Sequence, residues 1–203
     1  MKKASTFLFA LFILIIFTPA SYALTGEEAL AQFRSRMNSA GKITGIVSWS
    51  HSGGETYTGA FKYMSPGKIF VKFSSPAGKT IVSNGKSLWI YSSGSNICGI
   101  QDLAGGGSGG IAALTSGYFA IVTAQGPGGY TIKLKNNDKS FQEITLMVDS
   151  TFFLRKAIIK TKDGGTYNFS LSNISFSAPI IPSIFDFNVP SSAQVVKNPL
   201  NIK

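Results

Sequence analysis

The chain has 203 residues, 44% hydrophobic and only 14% charged, with 22 glycines and 16 phenylalanines. Many aromatics with few charges exclude a disordered chain, and the length fits one or two domains. A single cysteine and a single histidine exclude an internal disulfide, a cysteine-ligated zinc site and a histidine-rich metal site. Nineteen Lys and Arg against nine Asp and Glu give +10, a balance that suits nucleic acid or an anionic membrane surface.

The N-terminus decides between those two. Lys2 and Lys3 precede an unbroken apolar run from Phe7 to Phe17, which Thr18 and Pro19 end. Ser21-Tyr22-Ala23 places small residues where signal peptidase needs them. The run is shorter than the ~20 residues of a membrane span. Residues 1–23 therefore read as a secretory signal cleaved after Ala23, and residues 24–203 as one domain. No cysteine follows the cleavage site, so a lipid anchor is not expected there. The processed chain keeps about +8, and as an exported protein it faces lipid head groups or an acidic partner rather than nucleic acid. Cys98 becomes a lone thiol in an oxidising compartment, either buried and inert or open to mixed disulfides.

Residues 25–37 have the pattern of a helix. Thr25 and Glu28 form a capping box, and Ala29, Leu30, Phe33 and Met37 recur on one stripe. From Lys42 the period changes to two. Strands are expected at 43–50, 57–63, 68–73, 79–83 and 87–92, with turns at His51 to Gly54, Ser65-Pro66-Gly67, Pro76-Ala77-Gly78 and Asn84-Gly85. Tyr57, Gly59, Phe61 and Tyr63 share one face of their strand, and Ile69, Val71 and Phe73 share one face of the next. The run Gly105 to Gly110 reads as a flexible linker into a short apolar helical segment, 111–114. Without the Lys-Ser/Thr ending it does not read as a phosphate loop. Strands resume at 130–135, 141–148, 153–161 and 166–171, and a proline-rich tail suits edge strands and turns. The expected fold is mainly β, with about ten antiparallel strands forming an unclosed barrel or strongly curved sheet.

The chemistry of an enzyme is missing from this pattern. The carboxylates sit beside turns or at strand ends, none placed as an acid/base pair. His51 adjoins a glycine-rich turn and reads as a solvated loop residue. A Cys98–His51 nucleophile pair is conceivable but carries no motif. No serine lies in Gly-x-Ser-x-Gly. Neither a metal nor a cofactor is expected. What stands out is apolar surface: Ile69 to Phe73, counting Phe70, and Leu88-Trp89-Ile90-Tyr91 are apolar on both strand faces. Both faces must be covered, by helices on one side and by a second layer, a partner or a ligand on the other.

Gly59-Ala60-Phe61 with Pro66-Gly67-Lys68-Ile69, the hairpin Ile81-Val82-Ser83-Asn84-Gly85-Lys86-Ser87-Leu88-Trp89-Ile90-Tyr91, and Ile184-Phe185-Asp186-Phe187-Asn188-Val189-Pro190 resemble segments of the periplasmic outer-membrane lipoprotein carrier family, LolA. The resemblance implies an unclosed antiparallel β-barrel with short helices as a lid over an apolar cavity for the acyl chains of lipoproteins, loading by an inner-membrane ABC-type transporter and release to an outer-membrane acceptor. It also implies that Phe70 stands where the family pattern has an arginine that fastens the lid. Burial of an acyl chain gains ~0.8 kcal/mol per CH₂, so such cargo requires a comparable apolar surface. The expected lining is Phe61, Tyr63, Ile69, Val71, Phe73, Leu88 and Ile90, with Leu114 on the lid. The expected state is a monomer. A second reading keeps the same barrel in a periplasmic lipid- or lipoprotein-sensing scaffold that acts by partner binding rather than transport.

Overall fold

The computed structural model describes residues 24–103 and 115–198. Helix α1 spans Gly26–Asn38 and begins as its sequence dictates. The Glu28 amide donates to Thr25 Oγ1 at 3.3 Å, and the Thr25 amide donates to Glu28 Oε2 at 3.0 Å. Each bond satisfies a backbone donor near the helix start. Ala29, Leu30, Phe33 and Met37 are all buried, so the stripe is the packing face.

Twelve strands follow: β1 (Lys42–His51), β2 (Thr56–Met64), β3 (Lys68–Ser75), β4 (Ala77–Asn84), β5 (Ser87–Ser92), β6 (Ile97–Asp102), β7 (Phe119–Gly126), β8 (Gly129–Lys135), β9 (Phe141–Val148), β10 (Leu154–Thr161), β11 (Thr166–Ser175) and β12 (Gln194–Lys197). Every run read from sequence coincides with a strand, 153–161 starting one residue ahead of β10. β6, β7 and β12 were not anticipated. They belong to one sheet, ordered β12-β6-β5-β4-β3-β2-β1-β11-β10-β9-β8-β7. Neighbours are antiparallel except β12, which runs parallel to β6. The two edges, β12 and β7, do not pair, so the barrel stays open.

The helix shows that the sheet is curved. Glu27 lies 3.4 Å from the Ala120 amide on β7, while the Met37 carbonyl accepts from Tyr63 Oη on β2 at 3.0 Å. Six strand steps separate β7 from β2. On a flat sheet that is roughly 29 Å, whereas the helix between those residues rises roughly 15 Å. Only a sheet wrapped around α1 brings both within reach. Gly59 shows how tightly strands close locally: a Cβ there would sit 2.3 Å from the Lys72 carbonyl oxygen, at the β2–β3 register shift.

The concave face holds the main core, in which the helix stripe packs on Ile43, Val47, Phe61, Tyr63, Val71, Phe73, Ile132, Leu134, Ile144 and Leu146. A second, smaller core lies on the outer face of β3–β6. After β11 the chain folds back through a 3-10 turn at Pro182–Phe185 that contacts β3 and β4. Phe185, Ile180, Val82 and Cys98 are buried there. The Phe187 ring lies 6.4 Å from Trp89 and 5.9 Å from Tyr91.

Candidate functional site

Strand register assembles the candidate face. Tyr63 pairs with Ile69, Ile69 with Ser83, and Ser83 with Leu88. Phe61 pairs with Val71, Val71 with Ile81, and Ile81 with Ile90. Opposed residues point to the same side of an antiparallel sheet. Phe61, Tyr63, Ile69, Val71, Phe73, Leu88 and Ile90 therefore share the concave face.

Burial divides these seven into groups. Phe61, Tyr63, Val71 and Phe73 are buried in the core with α1, and Ile69 packs at its margin. Leu88 and Ile90 are half-buried and lie outside that cluster. Leu114, the Gly105–Gly110 run and the segment 111–114 lie outside the described residues, as do 1–23. Where the chain is next described, it is fastened to the helix: Arg34 Nε donates to Thr115 Oγ1 at 2.9 Å and Nη2 to the Thr115 carbonyl at 2.7 Å.

Tyr63 fastens the other end of the helix through its hydroxyl, and burial pushes its pKa above the usual 10.0. Ser65 adds a hydrogen bond from Oγ to the Asn38 carbonyl. Both contacts hold the C-terminal turn of α1 against the β2–β3 connection.

Sequence reasoning missed an aromatic cluster on the same face. The Trp49 ring lies 5.5 Å from Tyr57, 6.4 Å from Phe73 and 6.1 Å, nearly parallel, from Tyr167. Lys79 Nζ sits 4.0 Å above the Tyr57 ring and 2.7 Å from its hydroxyl. The signal was present in the shared face of Tyr167, Phe169 and Leu171, but only pairing of β1 with β11 sets those rings beside Trp49.

Phe70 pairs with Lys62 and Val82 and lies on the outer face. A Cys98–His51 pair fails on the same geometry. His51 continues the concave row of Trp49 and touches Tyr167 at 4.5 Å, while Cys98 is buried beneath the tail on the outer face. Burial also pushes the Cys98 thiol above its ordinary value, which disfavours the reactive thiolate.

Charged groups gather elsewhere. Glu143 lies 3.3 Å from Lys133, 3.7 Å from Lys135 and 3.3 Å from Lys160. Burial alone would raise its pKa, but hydrogen bonds from Lys160 and Lys133 outweigh that and hold it below the usual carboxylate range. Two depressions of about 330 and 430 Å³ lie beside the β8–β9 and β10–β11 turns. Lysines, Asn137, Gln142 and carboxylates line them, and none of the seven concave residues does.

Among the described residues, a single unclosed sheet wraps around α1 with its apolar face inward, an open barrel. Residues 49–188 match the family model of the outer membrane lipoprotein carrier protein LolA, and the chain belongs to the LolA family. It is 26% identical over 186 residues to an outer-membrane lipoprotein carrier protein of Coxiella burnetii, covering 84% of each chain. It is 24% identical over 194 residues to one of Glaesserella parasuis, covering 86% of this chain and 88% of the relative. Among solved structures, an uncharacterized conserved protein from Thermus thermophilus superposes with a TM-score of 0.55 at 16% identity, covering 84% of this chain and 98% of that one.

Proposed function

We propose that this chain is a periplasmic carrier that holds the acyl chains of lipoproteins on its concave face. It takes them from an inner-membrane ABC-type transporter and delivers them to an outer-membrane acceptor. Export by residues 1–23, cleavage after Ala23 and a single domain over 24–203 belong to the same reading. The observation that carries it is the half-buried pair Leu88 and Ile90, set beside Ile69 and Ile81 outside the helix-packed core of a LolA-family barrel. An acyl chain seated there meets apolar side chains without first displacing α1. Seating it deeper, against Phe61, Val71 and Phe73, requires the helix to move.

This division suits a carrier that must bind and also release. A sixteen-carbon chain gains roughly 12 kcal/mol on leaving water, so the protein need only match part of that gain to hold its cargo. A helix that competes for the same apolar face limits the affinity and so permits hand-off.

The test incubates residues 24–203 with inner-membrane vesicles and ATP. A carrier releases lipoproteins into a soluble complex that contains it, and the release requires ATP. If lipoproteins stay in the vesicles while the protein still binds lipid, the scaffold reading replaces transport.

A further inference from the structure

The outer face of the β7 edge carries a feature that cargo binding does not use. Phe119 is 67% exposed and Ile121 40% exposed, although both alternate with the inward residues Ala120 and Val122. Register places a lysine against each: Phe119 pairs with Lys135 and Ile121 with Lys133. The row continues through Glu143 to Lys160. Three lysines, Lys133, Lys135 and Lys160, thus surround one glutamate next to two large apolar side chains. β7 is an edge strand, so nothing beyond it in the sheet covers them.

We propose that this strip seats the protein on an anionic membrane surface, with Phe119 and Ile121 entering the head-group boundary and Lys133, Lys135 and Lys160 facing the lipid phosphates. The proposal goes beyond cargo binding and does not depend on it. An apolar wedge flanked by lysines is the composition by which amphipathic elements lie in a bilayer interface. Lysine stems pass along apolar surface while their ammonium groups stay in water, so all three can remain with the head groups as the wedge enters. The choice of cation favours lipid over an acidic protein: protein interfaces are enriched in arginine and depleted in lysine, and every cation of this strip is lysine. Glu143 holds the three lysine heads together and cancels only one of their charges, so the cluster stays net positive.

The test is sedimentation of residues 24–203 with protein-free vesicles, made either of phosphatidylcholine alone or of phosphatidylcholine with phosphatidylglycerol. The wild type should bind the anionic vesicles only and lose binding in high salt. Lys135→Glu, which changes the charge by two, should weaken binding by roughly tenfold or more. Phe119→Ser, at a mostly exposed position, should weaken it several-fold while the circular dichroism spectrum stays unchanged. Two results overturn the proposal. In one, the wild type ignores anionic vesicles or the two variants bind them as well as it does. In the other, the strip matters only for vesicles that contain membrane proteins, which assigns it to a protein partner.

Discussion

Both faces of β3–β5 carry large apolar side chains, and the fold treats the two differently. On the outer face the chain covers itself: the returning tail and its 3-10 turn bury Val82, Cys98, Ile180 and Phe185. On the concave face one helix covers part of the surface and leaves Leu88 and Ile90 half-buried. A strand apolar on both sides thus carries two meanings. One side is interior where the tail lies, with Phe70, Trp89 and Tyr91 half-buried at its margin. The other is interior only where the helix lies, and that incompleteness makes it the candidate for a ligand.

The strongest way to break this contrast is to unseat the tail. Phe185 is fully buried, and Phe185→Ala should destabilise the protein by ~3–5 kcal/mol through lost transfer energy and the cavity left behind. Denaturant unfolding measures the loss. At a concentration where the variant is still folded, lipid binding should be unchanged. A binding defect in the folded variant would mean that the two faces are coupled. Cys98 reports the same region: its thiol should be unreactive in the native protein and become labelled in step with the lowered stability of Phe185→Ala.

The next largest effect belongs to the other face. Leu88→Glu should remove ~1.5–3 kcal/mol of acyl-chain binding, because the side chain loses its apolar contact and brings a charge against it. Its effect on stability should be smaller, since Leu88 lies outside the packed cluster. Binding of a fluorescent fatty acid beside a denaturant melt separates the two quantities. If Leu88→Glu unfolds the protein as severely as Phe185→Ala, the concave face is an ordinary core.

Much of this was legible from residue order. Period-two alternation grouped Phe61 with Tyr63 and Ile69 with Val71 and Phe73 within their strands, and the register from Tyr63 through Ile69 and Ser83 to Leu88 sets these groups on one side of the sheet. Thr25 and Glu28 announced the helix start. What escaped was long-range. Proline punctuation in the tail suggested turns but could not say which surface the tail would cover. β12 is four residues long and gains its partner only by lying parallel to β6 across some ninety residues of chain. The division of the concave residues into buried and half-buried depends on where α1 crosses the sheet, which no local pattern encodes.

The smallest effect tests whether the helix is fastened as a latch or simply packed. Tyr63→Phe removes the 3.0 Å hydrogen bond to the Met37 carbonyl and leaves the ring in place, so it should cost ~1 kcal/mol at neutral pH. The same residue gives a pH signature. Burial raises the folded pKa of Tyr63 above 10.0, because ionisation would place a charge against the core. Its contribution is fully present below the unfolded pKa of about 10 and is lost as pH rises through the higher folded value. Stability of the wild type should therefore fall above about pH 10, and more steeply than that of Tyr63→Phe. The buried Tyr118, also shifted upward by burial, leaves a residual slope in the variant. Acyl-chain binding decides what the latch does. If α1 limits access to Phe61, Val71 and Phe73, loosening its C-terminal turn should strengthen binding modestly while weakening the fold. If both fall together, the helix supports the site and does not compete for it.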